Sequence, residues 1–306
     1  MSYKENKAQS IFRAKSTGLP KEFAGSLTRL VLPLFMGALV FLFCYPLIFI
    51  VSGSFMSELE LNHHLAGMTS ASESYAQLPP VPLYPTLESF IRLLVDTPAF
   101  YPLFWNSVGV VIAVLVGQAL IAIPASWVFA RYEFPLRRTL FFIYIVAMMM
   151  PFQVMMLPQY LILSSFGLLD TLFAIIVPGI FSAFPVFVLT HFFRTIPQNV
   201  IDAAYLDGAG TLAVLFRVGI PLAKPGIFAI LFLGFIEYWN VIEQPLVFIR
   251  EKTAWPLSLF LPSAGLEQAS LAFVAAFVSC IPAIFAFVWG RKYLEQGISS
   301  MAKGQT

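Results

Sequence analysis

The chain has 306 residues, of which 59% are hydrophobic and only 11% are charged. Soluble domains carry about 25% charged residues, and the mean hydropathy here is +0.83. The composition therefore excludes an ordinary soluble protein and indicates an integral membrane protein. The net charge of +2 decides little, because in a membrane chain the position of each charge matters more than their sum.

Residues 1–29 are basic and polar and precede the first apolar run. They contain no short apolar core followed by a small-residue cleavage site, which a secretory signal peptide would need. We therefore expect 1–29 to be a cytoplasmic N-terminal segment.

Six apolar stretches follow, and a membrane-spanning helix needs about 20 such residues. We expect spans at about 30–53, 104–130, 139–163, 171–193, 226–249 and 270–290. Prolines such as Pro151 and Pro158 recur inside them, and kinks are expected there because spanning helices tolerate proline. The chain is thus predicted to be all-α, with six transmembrane helices in a domain of residues 30–293 and a cytoplasmic tail of residues 294–306.

Lysine and arginine predict the orientation, because cytoplasmic segments are enriched in them. Of 18 such residues, 15 lie in residues 1–29, 131–138 and 194–225 and in the tail after residue 290. Only Arg92, Arg250 and Lys252 lie on the other side. Both termini and the 194–225 loop are therefore predicted to face the cytoplasm.

The loop of residues 54–103 is then external. It carries several acidic residues and the run PPVPLYP, which is typical of an extended surface segment. His63 and His64 are adjacent but lack further ligands at metal-site spacing, so no metal site is predicted. Cys44 and Cys280 lie in apolar runs and are interpreted as small buried hydrophobic residues.

The 194–225 loop carries two predicted helices. TIPQNVIDAAYL is interpreted as the first, with Pro197 in a position that suits a first turn. Asp207 and Gly208 then end it, because glycine accepts a left-handed C-cap at little cost. Thr211 is predicted to cap the second helix, LAVLFRVG, which Pro221 ends.

Two interpretations of this loop remain open on the residues alone. It is either an ordinary solvated loop or a surface for another protein. In the second case the small side chains of Ala203 and Ala204 would let a groove approach closely, between the charges of Asp202 and Asp207.

The fifth predicted span contains unusual polar residues, and intramembrane charge is expensive and usually functional. In a continuous helix Glu237, Asn240 and Gln244 would share one face, since they follow an i, i+3, i+7 pattern. Glu243 would lie close to that face, with Tyr238 and Trp239 nearby. Such a stripe suits a carbohydrate path, but hydrogen bonds to neighbouring helices, or snorkelling of Glu243, would also explain it.

The other predicted spans contain fewer candidate site residues. Gln153 and Gln159 in the third span are further candidates for the path, and His191 is interpreted as structural. An intramembrane enzyme using Glu237, Glu243 or His191 is an alternative, but no facing nucleophile or metal set is found. The phosphate-binding pattern GxxxxGK[ST] is missing, so the chain cannot hydrolyse ATP by that route.

The stretch IDAAYLDGAGTLAVLFRVGIPLAKPGI, from Ile201, resembles the EAA loop of bacterial ABC importer permeases. Asp202-Ala203-Ala204, Gly208 and Val218-Gly219-Ile220-Pro221 keep the family's spacing, with Asp for Glu at 202 and Val for Ile at 218. Further runs resemble the sugar-importer subset from about residue 104 onward: NSVGVVIA, FARYEFPLRR, MMPFQVMMLPQYLILSSFGLLDT, YWNVIEQPLVFI and GRKYLEQGISSMAKG. The nearest likeness is to the MalG-type permease of maltose-like importers.

The resemblance implies a type I ABC importer permease fold with a cytoplasmic coupling helix in the bacterial cytoplasmic membrane. The residues implied in contact with an ATPase are Asp202, Ala203, Ala204, Asp207, Gly208 and Ala209 in the loop, and Gly297, Lys303 and Gly304 in the tail. Together with the polar stripe, it favours a substrate pathway of Gln153, Glu237, Tyr238, Asn240, Glu243 and Gln244.

The implied function is translocation of a sugar or oligosaccharide by alternating access, without covalent chemistry on this chain. The implied partners are a second homologous permease, two ATPase subunits and an external binding protein, which residues 54–103 could contact. No cofactor is expected on this chain, since the ATPases would bind ATP and Mg²⁺, and no nucleic acid is expected as a partner.

Two features bear on the cargo. A glycerol phosphodiester or a charged saccharide is an alternative cargo, but an anionic cargo would favour basic side chains that the spans lack. The family is usually apolar at the positions of Glu243 and Gln244, and this departure suggests a cargo with amino or other cationic groups.

Overall fold

The computed structural model describes residues 21–69, 79, 81–263 and 268–303, and all the regular structure in these ranges is helical. The first half contains α1 (Lys21–Ser54), α2 (Glu58–Thr69), α3 (Glu88–Ile91), α4 (Phe100–Arg131), α5 (Arg137–Met149), α6 (Phe152–Ser165), α7 (Phe173–Ile180) and α8 (Ala183–Arg194). The second half contains α9 (Gln198–Leu206), α10 (Thr211–Val214), α11 (Ile220–Leu222), α12 (Lys224–Trp239), α13 (Glu243–Phe248), α14 (Phe260–Ser263) and α15 (Ala269–Lys303).

The six predicted spans correspond to four long apolar stretches and two bent pairs of helices. The stretches are Leu32–Ser54, Phe100–Arg131, Phe173–Arg194 and Ala269–Lys292. The pairs are Arg137–Met149 with Phe152–Ser165, and Thr211–Leu222 with Lys224–Trp239. Up to six crossings therefore follow from length and composition, if each bent pair is one span.

The third predicted span is broken, and the break is much sharper than a kink. Helices α5 and α6 meet at 104°. A residue before proline avoids the helical region, and Met150, which precedes Pro151, is extended at φ −72° and ψ 125°. Pro151 then stands immediately before α6, where its missing N–H costs nothing.

The prediction of one continuous helix over 226–249 is wrong. Helix α12 ends at Trp239, and α13 begins only at Glu243. Pro245 accounts for this, because within a helix its ring would clash with the carbonyl of residue 241 and leave that carbonyl without a donor. In the structure the hydroxyl of Ser258 donates to the carbonyl oxygen of Val241 instead.

Helix α4 lies at the centre of the bundle and packs against α7, α8 and α12. Its buried residues contribute to two hydrophobic clusters. The first includes Val110 and Val114, and the second includes Ala122 and Trp127 and continues into the 194–225 loop. Between them, the buried amide of Gln118 donates to the carbonyl oxygen of Gly179 at 2.9 Å, near the end of α7.

The external segment predicted at 54–103 is partly helical. Both carboxylate oxygens of Glu60, on α2, accept backbone N–H groups, from Leu83 at 2.7 Å and Tyr84 at 3.3 Å. Arg92 pairs with Glu58. The described part of the PPVPLYP run, Pro79 and residues 81–85, is non-helical, in keeping with the predicted extended segment.

Candidate functional site

The first helix of the 194–225 loop forms as predicted and ends in a Schellman motif. Gly208 adopts a left-handed conformation, with φ +81°. The N–H of Gly208 donates to Tyr205 and the N–H of Ala209 donates to Ala204, both at 3.0 Å. These two bonds satisfy carbonyls that the end of a helix would otherwise leave free.

Two predicted details of the second helix are wrong. Gly210 is the residue that precedes it, and Thr211 is already helical. The helix does not end at Pro221, because a π-helical turn over Leu215–Gly219 shifts the hydrogen-bond register and lets the chain continue to Leu222. The axis turns only after that, by 73°, before Lys224.

Arg131 ties the loop to the bundle. From the last turn of α4 its guanidinium donates to the carbonyl oxygen of Phe193, to that of Ile196 at 2.6 Å and to the side chain of Gln198 at 3.2 Å. The charge of Arg131 thus satisfies the carbonyl end of α8. The sequence indicated only its contribution to orientation, and its bonds to residues more than 60 positions away were missed.

Gly219 allows the loop to lie directly on the bundle. A Cβ atom at this position would lie 2.7 Å from Cζ3 of the buried Trp127, which is too close for any larger residue. Ile201, Val214 and Leu215 are buried in the same cluster. The inner face of the loop is therefore packed against α4 and α8, and the choice between a solvated outer face and a surface for another protein stays open.

The outer surface of the loop carries four of the six predicted contact residues. Asp202, Ala203, Asp207 and Gly208 are exposed, whereas Ala204 and Ala209 are half-buried and pack inward. The structure adds apolar residues to this surface, since Leu206 is 89% exposed and Leu212 and Phe216 are also exposed. Sequence reasoning missed these because any apolar residue near a span is expected to be buried.

A hydrogen bond also joins the loop to the chain after α4. The hydroxyl oxygens of Tyr132 and Tyr205 lie 3.3 Å apart. This interaction raises the pKa of Tyr205 above its ordinary value.

A polar cavity of about 670 Å³ lies where α5, α6, α7, α8, α12 and α13 meet. Glu237 and Tyr238 line it from α12, Gln244 from α13 and Gln159 from α6. The side-chain oxygens of Gln159 and Gln244 are buried and have no hydrogen-bond partner within the described residues. The cavity is therefore lined by a carboxylate, two amide side chains whose oxygens lack hydrogen-bond partners in the described residues, and several aromatic side chains.

Breaks in the helices build this cavity. The bend between α5 and α6 places Met148 and Met150 on one wall, and the interruption between α7 and α8 contributes Ser182. Gln244 lines the cavity from α13, whereas Glu237 lines it from α12. The prediction that they share one face of a continuous helix therefore does not explain why they meet. Gln159, a lesser candidate from sequence, proves to be a lining residue.

The remaining pathway candidates lie outside the lining of this cavity. The amide of Asn240, the residue after α12, donates to the carbonyl oxygen of Ile236 in that helix, at 2.9 Å. The amide of Gln153 lies 3.2 and 3.3 Å from the two carboxylate oxygens of Glu243, which joins α6 to α13. All three side chains are exposed in the isolated chain, and their role in a pathway stays a prediction.

The tail residues give less information. Gly297 and Lys303 lie on the described backbone of α15, while Gly304 lies outside the described residues. The ATPase contact of this tail stays a prediction.

Comparison with known proteins defines the class. Residues 122–300 match the family described as binding-protein-dependent transport system inner membrane component. The match spans more than half of the chain, and the chain belongs to this family. It is a multi-pass inner-membrane permease component of a transport system that uses a binding protein, and it is not an enzyme.

Particular relatives are permeases of different systems. The arabinooligosaccharides transport permease AraQ of Halalkalibacterium halodurans is 24% identical over 85% of this chain and 91% of its own length. The diacetylchitobiose uptake permease NgcG of Streptomyces coelicolor is 30% identical over 64% and 67%. The sn-glycerol-3-phosphate permease UgpE of Brucella abortus is 32% identical over 47% and 51%.

A solved structure shows the same fold. A chain of a bacterial ABC transporter that imports the acidic polysaccharide alginate superposes with a TM-score of 0.76, at 23% identity, over 89% of this chain and 98% of that one. The predicted all-α, type I importer permease fold is therefore confirmed.

Proposed function

We propose that this chain is one permease subunit of an ATP-driven importer that moves a neutral or weakly cationic sugar or oligosaccharide. The observation that carries the proposal is the 670 Å³ cavity, which offers acceptors and an aromatic side chain and has no lysine or arginine in its lining. Sugar hydroxyls donate hydrogen bonds, and buried acceptors without partners favour a ligand that supplies donors. The names of AraQ and NgcG support the same class of cargo.

An anionic cargo fits this lining less well. The solved alginate importer and the relative UgpE act on acidic or phosphorylated molecules by their names. Anionic groups are held in proteins by arginine, lysine or backbone N–H groups, while here the charged lining residue is Glu237. The carboxylate of Glu237 would repel a uronate or a phosphate.

The partners and the orientation belong to the same proposal. A second, homologous permease would close the other side of the cavity, and an external protein would deliver the cargo. Both termini would face the cytoplasm, where residues 1–29 and 294–306 flank the six-span domain of residues 30–293. Two ATPase subunits would bind ATP and Mg²⁺, and one of them would dock on α9.

The mechanism follows from the rigid attachment of α9. ATP binding would draw the ATPases together and move Asp202, Ala203, Asp207 and Gly208 with them. Arg131 would transmit that displacement to α4 and α8, because it holds the carbonyls where α8 ends. The cavity would then open outward to receive cargo, and hydrolysis would reset it.

The cargo is tested by uptake. The tagged chain is purified with its accompanying subunits, placed in liposomes with ATP inside, and offered neutral oligosaccharides, uronate oligosaccharides or sn-glycerol-3-phosphate. We expect uptake of a neutral sugar, and about a tenfold loss in Glu237→Leu, since a hydrogen bond to a charged group contributes about 1.5–3 kcal/mol. Glu251→Leu, at an exposed position outside both residues 54–103 and the cavity lining, should transport normally. Uptake of the anions alone would overturn the proposed cargo.

The ATPase contact is tested by copurification with a matched pair of variants. Leu206 and Leu59 are 89% and 85% exposed, but only Leu206 lies on α9. We expect Leu206→Asp to lose the ATPase, as should the double variant Asp202→Lys with Gly208→Trp, while Leu59→Asp keeps it. An ATPase that stays bound to and driven by the α9 variants would exclude this loop as the contact.

A further inference from the structure

A second large groove lies beside the 194–225 loop, apart from the polar cavity. It has a volume of about 910 Å³ and is enclosed by the start of α5, the turn before it and the end of α8. Arg137, Arg138 and Arg194 line it, together with the single acidic residue Glu133. The groove therefore combines three positive charges with one negative charge.

Two of these arginines, Arg137 and Arg194, are held in place without acidic partners. The Nε of Arg137 donates to the carbonyl oxygen of Phe129 at 3.0 Å, and the guanidinium of Arg194 lies 5.1 Å from the ring centre of Phe141. Within the described part of the chain, the ion pairs are His64 with Glu60 and Arg92 with Glu58, and neither involves the groove. Arg137 and Arg194 line the same groove and carry like charges, which repel each other.

Apart from Thr139, the rest of the lining is apolar, and part of it is exposed. Leu136 and Phe142 are 70% and 63% exposed, and Phe134 and Ile145 complete the wall. The arginines lie at the ends of helices that the composition places in the membrane, with α5 beginning at Arg137 and α8 ending at Arg194. A molecule that fills the groove must therefore present an anionic group at the membrane boundary and an apolar portion along α5.

We propose that this groove binds an anionic membrane phospholipid, with the phosphate of its headgroup between Arg138 and Arg194 and an acyl chain against Leu136 and Phe142. Arginine suits this task because its planar fork matches phosphate oxygens in two parallel hydrogen bonds. The cytoplasmic leaflet, which the distribution of basic residues assigns to this end of the bundle, is the leaflet that supplies anionic lipids. The bound lipid would offset the repulsion between arginines and hold the start of α5 beside α8. The inference does not depend on which cargo the permease carries.

The test uses the full-length chain, purified with the subunits that accompany it. The complex is equilibrated in detergent with equal amounts of phosphatidylglycerol and phosphatidylcholine, and bound lipid is counted by native mass spectrometry. We expect at least a tenfold preference for phosphatidylglycerol in the wild type and at least a fivefold loss of that preference in Arg138→Gln/Arg194→Gln. Arg137 is left unchanged, because its Nε satisfies a backbone carbonyl.

A matched control separates this site from general attraction of basic residues to anionic lipid. Arg291→Gln/Lys292→Gln removes the same charge from α15, next to a different groove, and should keep the preference within twofold. If the double variant does not fold, the single variants Arg138→Gln and Arg194→Gln replace it. The preference of each for phosphatidylglycerol should fall at least twofold.

Several results would overturn the proposal. An equal loss of the lipid preference in the α15 control would mean that basic residues attract anionic lipid in general, without a specific site. An unchanged preference in the variants of Arg138 and Arg194 would mean that the groove holds no lipid. Displacement of the lipid by millimolar inorganic phosphate would identify a soluble anion as the ligand. Loss of bound lipid whenever a second permease or an ATPase is present would mean that a protein surface covers the groove.

Discussion

At the scale of single residues, the fit between Gly219 and Trp127 shows how closely the loop lies on the bundle. The sequence motif contains this glycine, but nothing in the motif shows what lies against it. The structure places an indole ring where a side chain would begin. The steric need for glycine thus comes from a residue more than 90 positions away in the chain.

This contact predicts a difference between two glycines of the same loop. Gly219→Ala should destabilise the protein by roughly 1–3 kcal/mol, the usual cost of forcing extra atoms into a packed site. Gly210→Ala should cost less, within about 1 kcal/mol for the poorer helix cap, because its φ of −72° suits alanine and no atom lies within 4 Å of the added Cβ. Thermal unfolding in detergent measures the stability of both variants. Equal unfolding midpoints for Gly219→Ala and Gly210→Ala would contradict the packing argument.

At the scale of elements, the breaks in the helices create the polar cavity. Pro151 separates α5 from α6, and Pro245, in the first turn of α13, accounts for the break between α12 and α13. Each break turns the chain and brings polar groups from different helices to one place. The prolines are visible in the sequence, but a proline can kink, end or start a helix. Which of these happens depends on the residue that donates a hydrogen bond to the carbonyl left without a donor. For Val241 that residue is Ser258.

The attachment of α9 gives a prediction at this scale. Arg131→Met removes the hydrogen bonds that hold the end of α8 and the start of α9, and bonds to a charged donor contribute about 1.5–3 kcal/mol each. We expect amide hydrogens of residues 195–206 to exchange at least tenfold faster, as measured by hydrogen–deuterium exchange. Arg217→Met, at an exposed position in the same loop, should leave the exchange rates unchanged. Unchanged rates in Arg131→Met would mean that apolar packing alone holds α9.

At the scale of the whole molecule, large apolar areas of α1 and α15 remain exposed, as expected for one chain without its lipid or its partner permease. Charge separates the two ends of this bundle. Basic residues cluster around the 194–225 loop and the 131–138 turn, and the opposite end carries Glu58, Glu60 and few basic residues. Insertion follows such asymmetry, so the orientation can be tested directly.

The orientation is tested with single cysteines in a chain whose Cys44 and Cys280 are replaced by alanine. Thr211→Cys in the loop should be protected from a membrane-impermeant maleimide in intact cells and should react after lysis. Glu251→Cys, at the opposite end, should react in intact cells. The reverse pattern would overturn the proposed topology, and with it the place of ATPase docking.

The amino-acid sequence by itself determined the class of this protein, the approximate position of its apolar helices and the existence of the α9 helix. These follow from local properties: runs of apolar residues long enough for a bilayer, the distribution of arginine and lysine, and a glycine that accepts a left-handed cap.

Tertiary structure alone decided which polar residues meet. It separated Asn240 from the cavity, brought Gln159 and Gln244 to it from different helices, and used Arg131 and Gly219 to fix the loop. Helical periodicity holds only while a helix continues, and whether it continues past a proline depends on hydrogen-bond partners that lie far away in the chain.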